Sequence, residues 1–278
     1  MGRAKRIPYG VSDFIDIIER NQYYVDKTMY IPKLEDEPDA LFFIRPRRFG
    51  KSLFISMLRA YYDIKRKDKF DKLFGNLWIG SHPTENQGKY QVLFLDFSKI
   101  GGSIDQLEEN FNAYCNECID SFIETYQEYY PERVVESVLK AKTAARKLNA
   151  IGIAAEKKNL PLYLIVDEYD NFTNVVLNEQ GEEVYTALTH ASGFYREIFK
   201  VFKGMFSKIF MTGVSPVTLD DLTSGFNIGW HISTKPAFNQ MLGFSTEDVR
   251  ELFTYYKENG EIRPDSDVEA IINEMKPW

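Results

Sequence analysis

The sequence predicts an α/β fold in which helices flank a mainly parallel β-sheet. Short apolar runs alternate with stretches of helical periodicity, and no internal repeat interrupts this alternation. The 278-residue chain is 44% apolar, which excludes a disordered protein. Its net charge of −7 argues against a protein that coats nucleic acid through a generally basic surface.

Five apolar runs are predicted to form the strands. The first four are short and bounded by polar turns, as expected for strands buried in a parallel sheet. They cover residues 41–44, 92–95, 162–166 and 208–211, and a weaker fifth run covers residues 228–232.

Helical periodicity fills the intervals between the strands. Apolar residues spaced by three and four positions predict helices over 54–61, 104–118 and 134–139, and a further helix is expected over about 182–202. Capping-box patterns at 218–221 and 245–248 mark two helix starts. The second opens a helix with Val249, Leu252, Phe253 and Tyr256 on one face.

We expect two units along the chain. Residues 1–240 form the main domain, with two or three helices inserted at about 98–160, because that interval is too long for a simple crossover. Residues 241–278 begin a helical lid subdomain that is too short for its own core, so we expect it to be truncated. Its apolar face would pack back on the main domain or on a second copy in a homo-oligomer.

The sequence also predicts where the protein resides. Two cysteines cannot build a disulfide scaffold, and no apolar run approaches the ~20 residues that span a bilayer. The basic start of the chain is not followed by the apolar segment of a signal peptide. We therefore expect a cytoplasmic protein that makes no membrane contact.

The clearest functional pattern follows the first apolar run and reads Arg45-Pro46-Arg47-Arg48-Phe49-Gly50-Lys51-Ser52-Leu53. A strand, a basic loop, Gly-Lys-Ser and an amphipathic helix, in that order, are typical of a phosphate-binding loop. Gly50 would let backbone amides approach the phosphates, and Lys51 would reach the β- and γ-phosphates. Ser52 would coordinate Mg²⁺. The usual pattern has glycine where this chain has Arg45, and the alternative is a basic surface loop with a chance Gly-Lys-Ser.

A pair of acidic residues, Asp167 and Glu168, ends the run 162–166. In a parallel sheet this strand end lies beside the phosphate-binding loop, where Asp167 would hold Mg²⁺ and Glu168 would act as general base toward water. Asp170 would add charge or cap the next segment. The alternative is a solvated acidic turn after a buried strand.

A third element is the polar end of the run 208–211. Thr212, and after it Ser215, are candidates for a hydroxyl that senses the γ-phosphate or the attacking water. The alternative is an ordinary turn at a strand end. Together, the three elements predict a P-loop NTPase with Lys51, Glu168 and Thr212 in catalysis.

These segments resemble the AAA-ATPase-like proteins of bacteria and archaea. The resemblance is carried by residues 7–14, 24–28, 43–53, 166–170 and 212–216. It implies ATP as the nucleotide and an arginine at position 45 as the usual residue of the loop. It also implies a PD-(D/E)XK nuclease-like domain after residue 278, through which the full protein would contact nucleic acid. No nuclease activity is assigned to the residues present.

Two functions follow from these patterns. The first is a Mg²⁺-dependent ATPase that serves as motor or switch for an attached or partner domain. The second is a regulatory module that binds a nucleotide or another polyanion without turnover. Glu168 favours the ATPase, because a pure binding module has no need of a carboxylate beside the Mg²⁺ ligand.

Overall fold

The structure is a computed structural model that describes residues 4–101, 106–171, 194–215 and 230–275. Within these residues the strands are β1 (Ala40–Ile44), β2 (Gln91–Asp96), β3 (Leu162–Asp167), β4 (Lys208–Gly213) and β5 (Trp230–His231). The first four predicted strands are confirmed, each longer by one or two residues. β5 confirms part of the fifth, whose residues 228 and 229 lie outside the described residues.

The strands form one sheet in the order β2-β3-β4-β1-β5, and every neighbouring pair is parallel. Parallel neighbours need crossover connections, and helices of the described residues lie between β1 and β2, between β2 and β3, and between β3 and β4. The carboxyl ends of all the strands therefore lie along one edge of the sheet. The predicted α/β class with a parallel, helix-flanked sheet is confirmed.

Ten α-helices lie in the described residues, besides short 3-10 helices. They are α1 (Phe14–Glu19), α2 (Tyr30–Glu35), α3 (Lys51–Tyr62), α4 (Phe70–Phe74), α5 (Leu107–Thr125), α6 (Glu132–Lys140), α7 (Ala144–Lys157), α8 (Phe194–Met205), α9 (Thr246–Glu258) and α10 (Val268–Met275). None of them is both long and apolar enough to cross a bilayer.

Most of the predicted helices are present. α3 and α6 cover their periodic stretches, and α5 covers the third from Leu107 onward; residues 104 and 105 lie outside the described residues. α8 is the described part of the helix predicted over 182–202, and the capping-box pattern at 218–221 falls on residues that are not described. The second capping box is confirmed, because the Ser245 side chain accepts from the Asp248 amide and the Asp248 side chain accepts from the Ser245 amide.

The sheet separates two apolar cores. Successive strand residues point to opposite faces, so Phe42 packs into the core formed with α5 to α8, whereas Leu41 and Phe43 pack into the core formed with α1 to α4. Both faces of the central strands are thus covered, which explains their continuous apolar runs.

Tyrosine hydroxyls cover the outer edge of β2. The amide of Val92 donates to the hydroxyl of Tyr126 at 3.0 Å, and the amide of Asp96 donates to that of Tyr114 at 2.8 Å. Tyr114 lies in α5 and Tyr126 directly follows it, so the inserted helix satisfies amides that an exposed edge strand would offer to another chain.

α9 is held against the amino-terminal segment. Lys27 and Asp248 form an ion pair at 2.6 Å, with both side chains mostly buried. The hydroxyl of Tyr256 donates to the carbonyl of Lys5 at 2.5 Å, and the ring of Tyr23 lies beside Tyr256. These contacts bring α9 to the same edge of the molecule as the loop that follows β1.

Candidate functional site

The predicted site residues converge on the carboxyl edge of the sheet, where β1, β4 and β3 are neighbours. The pairing of Ile44 with Gly213 and of Val166 with Met211 sets the strand ends level with one another. The loop of residues 45–50 leaves β1 at this edge, and α3 begins directly after it.

Gly50 makes the turn from the loop into α3. Its φ of +87° lies in the left-handed region that a side chain disfavours, and the first helical bond runs from the Phe54 amide to the Gly50 carbonyl. The amides of the first helical turn have no acceptor within the helix. They and the helix dipole favour an anion in front of the loop.

Lys51 is folded beneath the loop. Its side chain is buried, and Nζ donates to the carbonyls of Arg45 at 2.8 Å and Pro46 at 3.0 Å. Burial lowers the pKa of Lys51, while the negative charges of Asp167 and Glu168 oppose that shift. The ammonium therefore lies between the loop and the acidic strand end.

Asp167 is the centre of a hydrogen-bond network. Ser52 Oγ donates to Oδ2 at 2.6 Å, and Thr212 Oγ1 donates to Oδ1 at 2.5 Å. The amide of Glu168 donates to Oδ1 at 3.0 Å. Asp167 and Thr212 are both buried, whereas Ser52 is exposed at the mouth of the site. The Asp167 carboxylate thus joins Ser52 and Thr212, which lie far from it in the sequence.

The backbone of Glu168 turns sharply after β3. Its φ of +51° is in the left-handed region, which costs a non-glycine residue of order 1–3 kcal/mol and is common at functional sites. Burial and then the neighbouring Asp167 raise the pKa of Glu168, against the opposing charges of Arg47 and Lys51. A half-buried carboxyl with a raised pKa can accept a proton more readily than an ordinary glutamate.

Asp170 organises the loop after β4. It is buried, and its carboxylate accepts from the amides of Val214 at 3.0 Å and Ser215 at 2.5 Å. The Ser215 carbonyl accepts from the Tyr169 hydroxyl at 2.9 Å. A Cβ on Gly213 would lie 2.5 Å from the Tyr169 ring, so this close approach requires glycine. Tyr169 and Gly213 lie in segments that carry the family resemblance, but the sequence does not predict their contact, although glycine at a strand end is a signal for such an approach.

The guanidinium of Arg45 faces the turn after β5. Nη1 donates to the carbonyls of Ile44 and Ser233, both at 3.0 Å, and the group lies 4.5 Å from the centre of the Phe43 ring. Ser233 Oγ also accepts from the Ile44 amide at 2.7 Å. Nothing in the sequence pattern singles out Ser233.

The remaining loop residues are exposed. Arg47 Nη2 donates to Asn171 Oδ1 at 3.4 Å, and Arg48 has a φ of +69°. The carbonyl of Phe49 accepts from the amide of Gly243 at 3.1 Å, which joins the loop to the segment before α9. Among the loop residues predicted to bind phosphate, Arg45 directs its guanidinium toward the Ser233 carbonyl and away from the acidic end of β3.

A cavity of about 670 Å³ adjoins the loop on the α9 side. Most of its walls are apolar, and they come from the amino-terminal segment, the start of α3 and the segment before α9. They include Pro8, Val25, Phe49, Leu53, Met241 and Leu242. The sequence does not indicate this cavity, because its walls come from three distant segments.

The chain is similar in sequence or structure to several known proteins. The family model described as predicted AAA-ATPase matches residues 8–223. An uncharacterized protein in the vnfD 5′ region of Azotobacter chroococcum mcd 1 is 26% identical over 267 residues, which are 90% of this chain and 45% of that protein. The chain therefore spans less than half of that relative. The solved Aeropyrum pernix ORC2 protein, in ADPNP-ADP complexes, has 13% identity and a TM-score of 0.40, over 98% of this chain and 60% of that one. Since the family model covers most of the sequence, the expected resemblance is confirmed, and the chain belongs to the predicted AAA-ATPase family.

Proposed function

We propose that this chain binds ATP with Mg²⁺ and hydrolyses it. The observation that carries the proposal is the convergence of Lys51, Ser52, Asp167, Glu168 and Thr212 in front of the first turn of α3. Such a group supplies what phosphoryl transfer needs, namely positioning and stabilisation of charge.

The triphosphate would lie along the loop. Backbone amides at the start of α3 would donate to its oxygens, and Lys51 would exchange its bonds with loop carbonyls for bonds to the β- and γ-phosphates. Arg47 and Arg48 are exposed in the same loop and would add positive charge. Pro46, Phe49 and Leu53 would shape the loop around them.

The donor set at the mouth of the site fits Mg²⁺. Ser52 offers a hydroxyl oxygen and Asp167 a carboxylate, and these hard oxygen ligands are those that Mg²⁺ prefers. When bound, the ion would neutralise charge on the β- and γ-phosphates. Thr212 donates to Asp167 and so holds that carboxylate toward Ser52.

Glu168 would act as general base. Successive strand residues point to opposite faces, and the backbone turns at Glu168, so the two adjacent acids would serve different partners. Glu168 would orient a water molecule and take its proton during attack on the γ-phosphate.

The apolar cavity would take the adenine ring. Its volume of about 670 Å³ falls within the roughly 300–1,000 Å³ of small-molecule pockets, and it begins where the loop ends. The segment before α9 closes one side of it. A base held there would link nucleotide occupancy to the helical lid formed by α9 and α10, in keeping with a cytoplasmic motor or switch that acts on an attached nuclease-like domain or on a second copy.

Paired variants test the proposal. Lys51→Ala should weaken ATP binding by at least tenfold in calorimetry, about 1.4 kcal/mol. Glu168→Gln should bind ATP normally and release phosphate roughly 10²-fold more slowly. Glu136→Gln, which alters an exposed glutamate of α6, is the matched control and should behave as wild type.

The outcomes separate the candidate functions. Normal ATP affinity of Lys51→Ala would contradict the assignment of the loop. A wild-type protein that binds ATP with Lys51-dependent affinity yet releases no phosphate would favour the non-hydrolysing regulatory module.

A further inference from the structure

Arg45 connects the loop to three structural elements. Its amide donates to the carbonyl of Gly213 on β4 at 3.2 Å, and its carbonyl accepts from Lys51 Nζ at 2.8 Å. Its guanidinium donates to the carbonyl of Ser233 after β5 at 3.0 Å. One residue thus links both strands that neighbour β1 to the lysine of the loop.

The guanidinium is held in place from several sides. It is half-buried, lies over the Phe43 ring and bonds to the Ile44 carbonyl as well as to Ser233. Ser233 is itself buried and is attached to β1 through the Ile44 amide. The guanidinium is planar, and its donors have a fixed geometry. Because two carbonyls and a ring hold it, the side chain fixes the orientation of the Arg45 backbone.

We propose that Arg45 is a positioning residue for Lys51 and not a ligand of phosphate. Its side chain anchors the first residue of the loop, so that the Arg45 carbonyl faces the Lys51 ammonium and holds the lysine ready for the nucleotide. The side chain of Arg45 thus fixes the orientation of a loop carbonyl that, in a loop with glycine at this position, depends on backbone conformation alone. This inference rests on the proposed nucleotide function.

The experiment compares ADP and ATP affinity for Arg45→Ala and Arg45→Gln over a series of salt concentrations. A positioning role predicts that Arg45→Ala weakens ATP binding by about tenfold and weakens neither nucleotide by more than Lys51→Ala does, because the loss is transmitted through the lysine. The salt dependence of binding should stay unchanged. Arg45→Gln should retain most of the affinity, because its amide still donates to backbone carbonyls although its charge is lost. A loss larger than that caused by Lys51→Ala, with a weaker salt dependence of binding, would overturn the inference in favour of a phosphate ligand.

A double-mutant cycle shows whether Arg45 acts through Lys51. The variant Lys51→Ala/Arg45→Ala should bind no more weakly than Lys51→Ala, whereas a general loss of stability would add to the loss from Lys51. The matched control is Arg59→Ala on the same helix as Lys51, since the Arg59 guanidinium also lies over a phenylalanine ring, 4.1 Å from the centre of Phe94. This control should bind both nucleotides normally.

The failures of the two proposals differ. If wild type binds nucleotide and Arg45→Ala matches it, or if the double-mutant losses are additive, the positioning role is wrong and the proposed function stands. If wild type binds neither ADP nor ATP, the proposed function is wrong and this inference falls with it.

Discussion

Replacement of Thr212 by valine removes one hydrogen bond from the buried carboxylate of Asp167 and leaves the shape of the side chain nearly unchanged. The hydroxyl donates to Asp167 Oδ1 at 2.5 Å, and both residues are at most 4% exposed, so water cannot easily replace the donor. A hydrogen bond to a charged group contributes about 1.5–3 kcal/mol. Since Oδ1 keeps the Glu168 amide at 3.0 Å, we expect a loss near the lower end, about 1.5–2 kcal/mol.

Urea unfolding measures this loss directly. The midpoint should fall with an unchanged slope, because a buried contact is lost and the unfolded state is the same. Thr212→Ser restores the hydroxyl and should recover most of the stability. Thr125→Val is the matched control, because its hydroxyl bonds to the Ser121 carbonyl on an exposed helix face, and it should stay within about 0.5 kcal/mol of wild type.

The same variant tests the role of Thr212 at the proposed Mg²⁺ site. With one donor lost, Asp167 is oriented less firmly toward Ser52, and the Mg²⁺-dependent part of ATP affinity should fall. Thr212→Val as stable as Thr125→Val, with normal Mg²⁺ dependence, would refute a network centred on Asp167.

Three further predictions concern the surroundings of the site and the helical insertion. Gly213→Ala places a methyl group against the Tyr169 ring and should lower the free energy of unfolding by about 1–3 kcal/mol in urea; an unchanged midpoint would contradict the close approach. Asp120→Ala leaves the buried ammonium of Lys147 without its carboxylate and should destabilise by about 3 kcal/mol, whereas replacing both residues by apolar ones should cost much less. Burial raises the pKa of Glu168 above its ordinary 4.5. When the pH is lowered, the rate of phosphate release should therefore begin to decline above pH 4.5, because the base becomes protonated there. A decline that begins only below pH 4.5 would contradict this role of Glu168.

The sequence predicts strands well where the chain is buried on both faces. β1 and β3 are short runs of apolar residues that end at a charged loop, and their length and flanking residues favour a buried strand over a buried helix. The order β2-β3-β4-β1-β5 is not predictable in this way, because the choice of neighbouring strand depends on packing between distant segments. β5 is harder still, since two paired residues leave too short a pattern.

The candidate site follows from the sequence only in part. Ser52 and Asp167 each follow a predicted strand, and a shared carboxyl edge suffices to predict that they meet. The partner of the Arg45 guanidinium was not predictable, because a backbone carbonyl such as that of Ser233 has no signature in the sequence. The loop pattern indicates positive charge and leaves open where each arginine is directed.

The position of Thr212 shows how strand register determines the chemistry of a side chain. Val166 is paired with Met211, so the next residues along β3 and β4, Asp167 and Thr212, are neighbours whose side chains lie on the same face. The register therefore places the Thr212 hydroxyl within hydrogen-bond distance of the Asp167 carboxylate, which accounts for the observed bond at 2.5 Å. The sequence supports either a sensor of the γ-phosphate or an ordinary strand end. The register adds a third role, support of the carboxylate that we propose to bind Mg²⁺. It leaves Glu168, where the backbone turns after the strand, as the group proposed to face water.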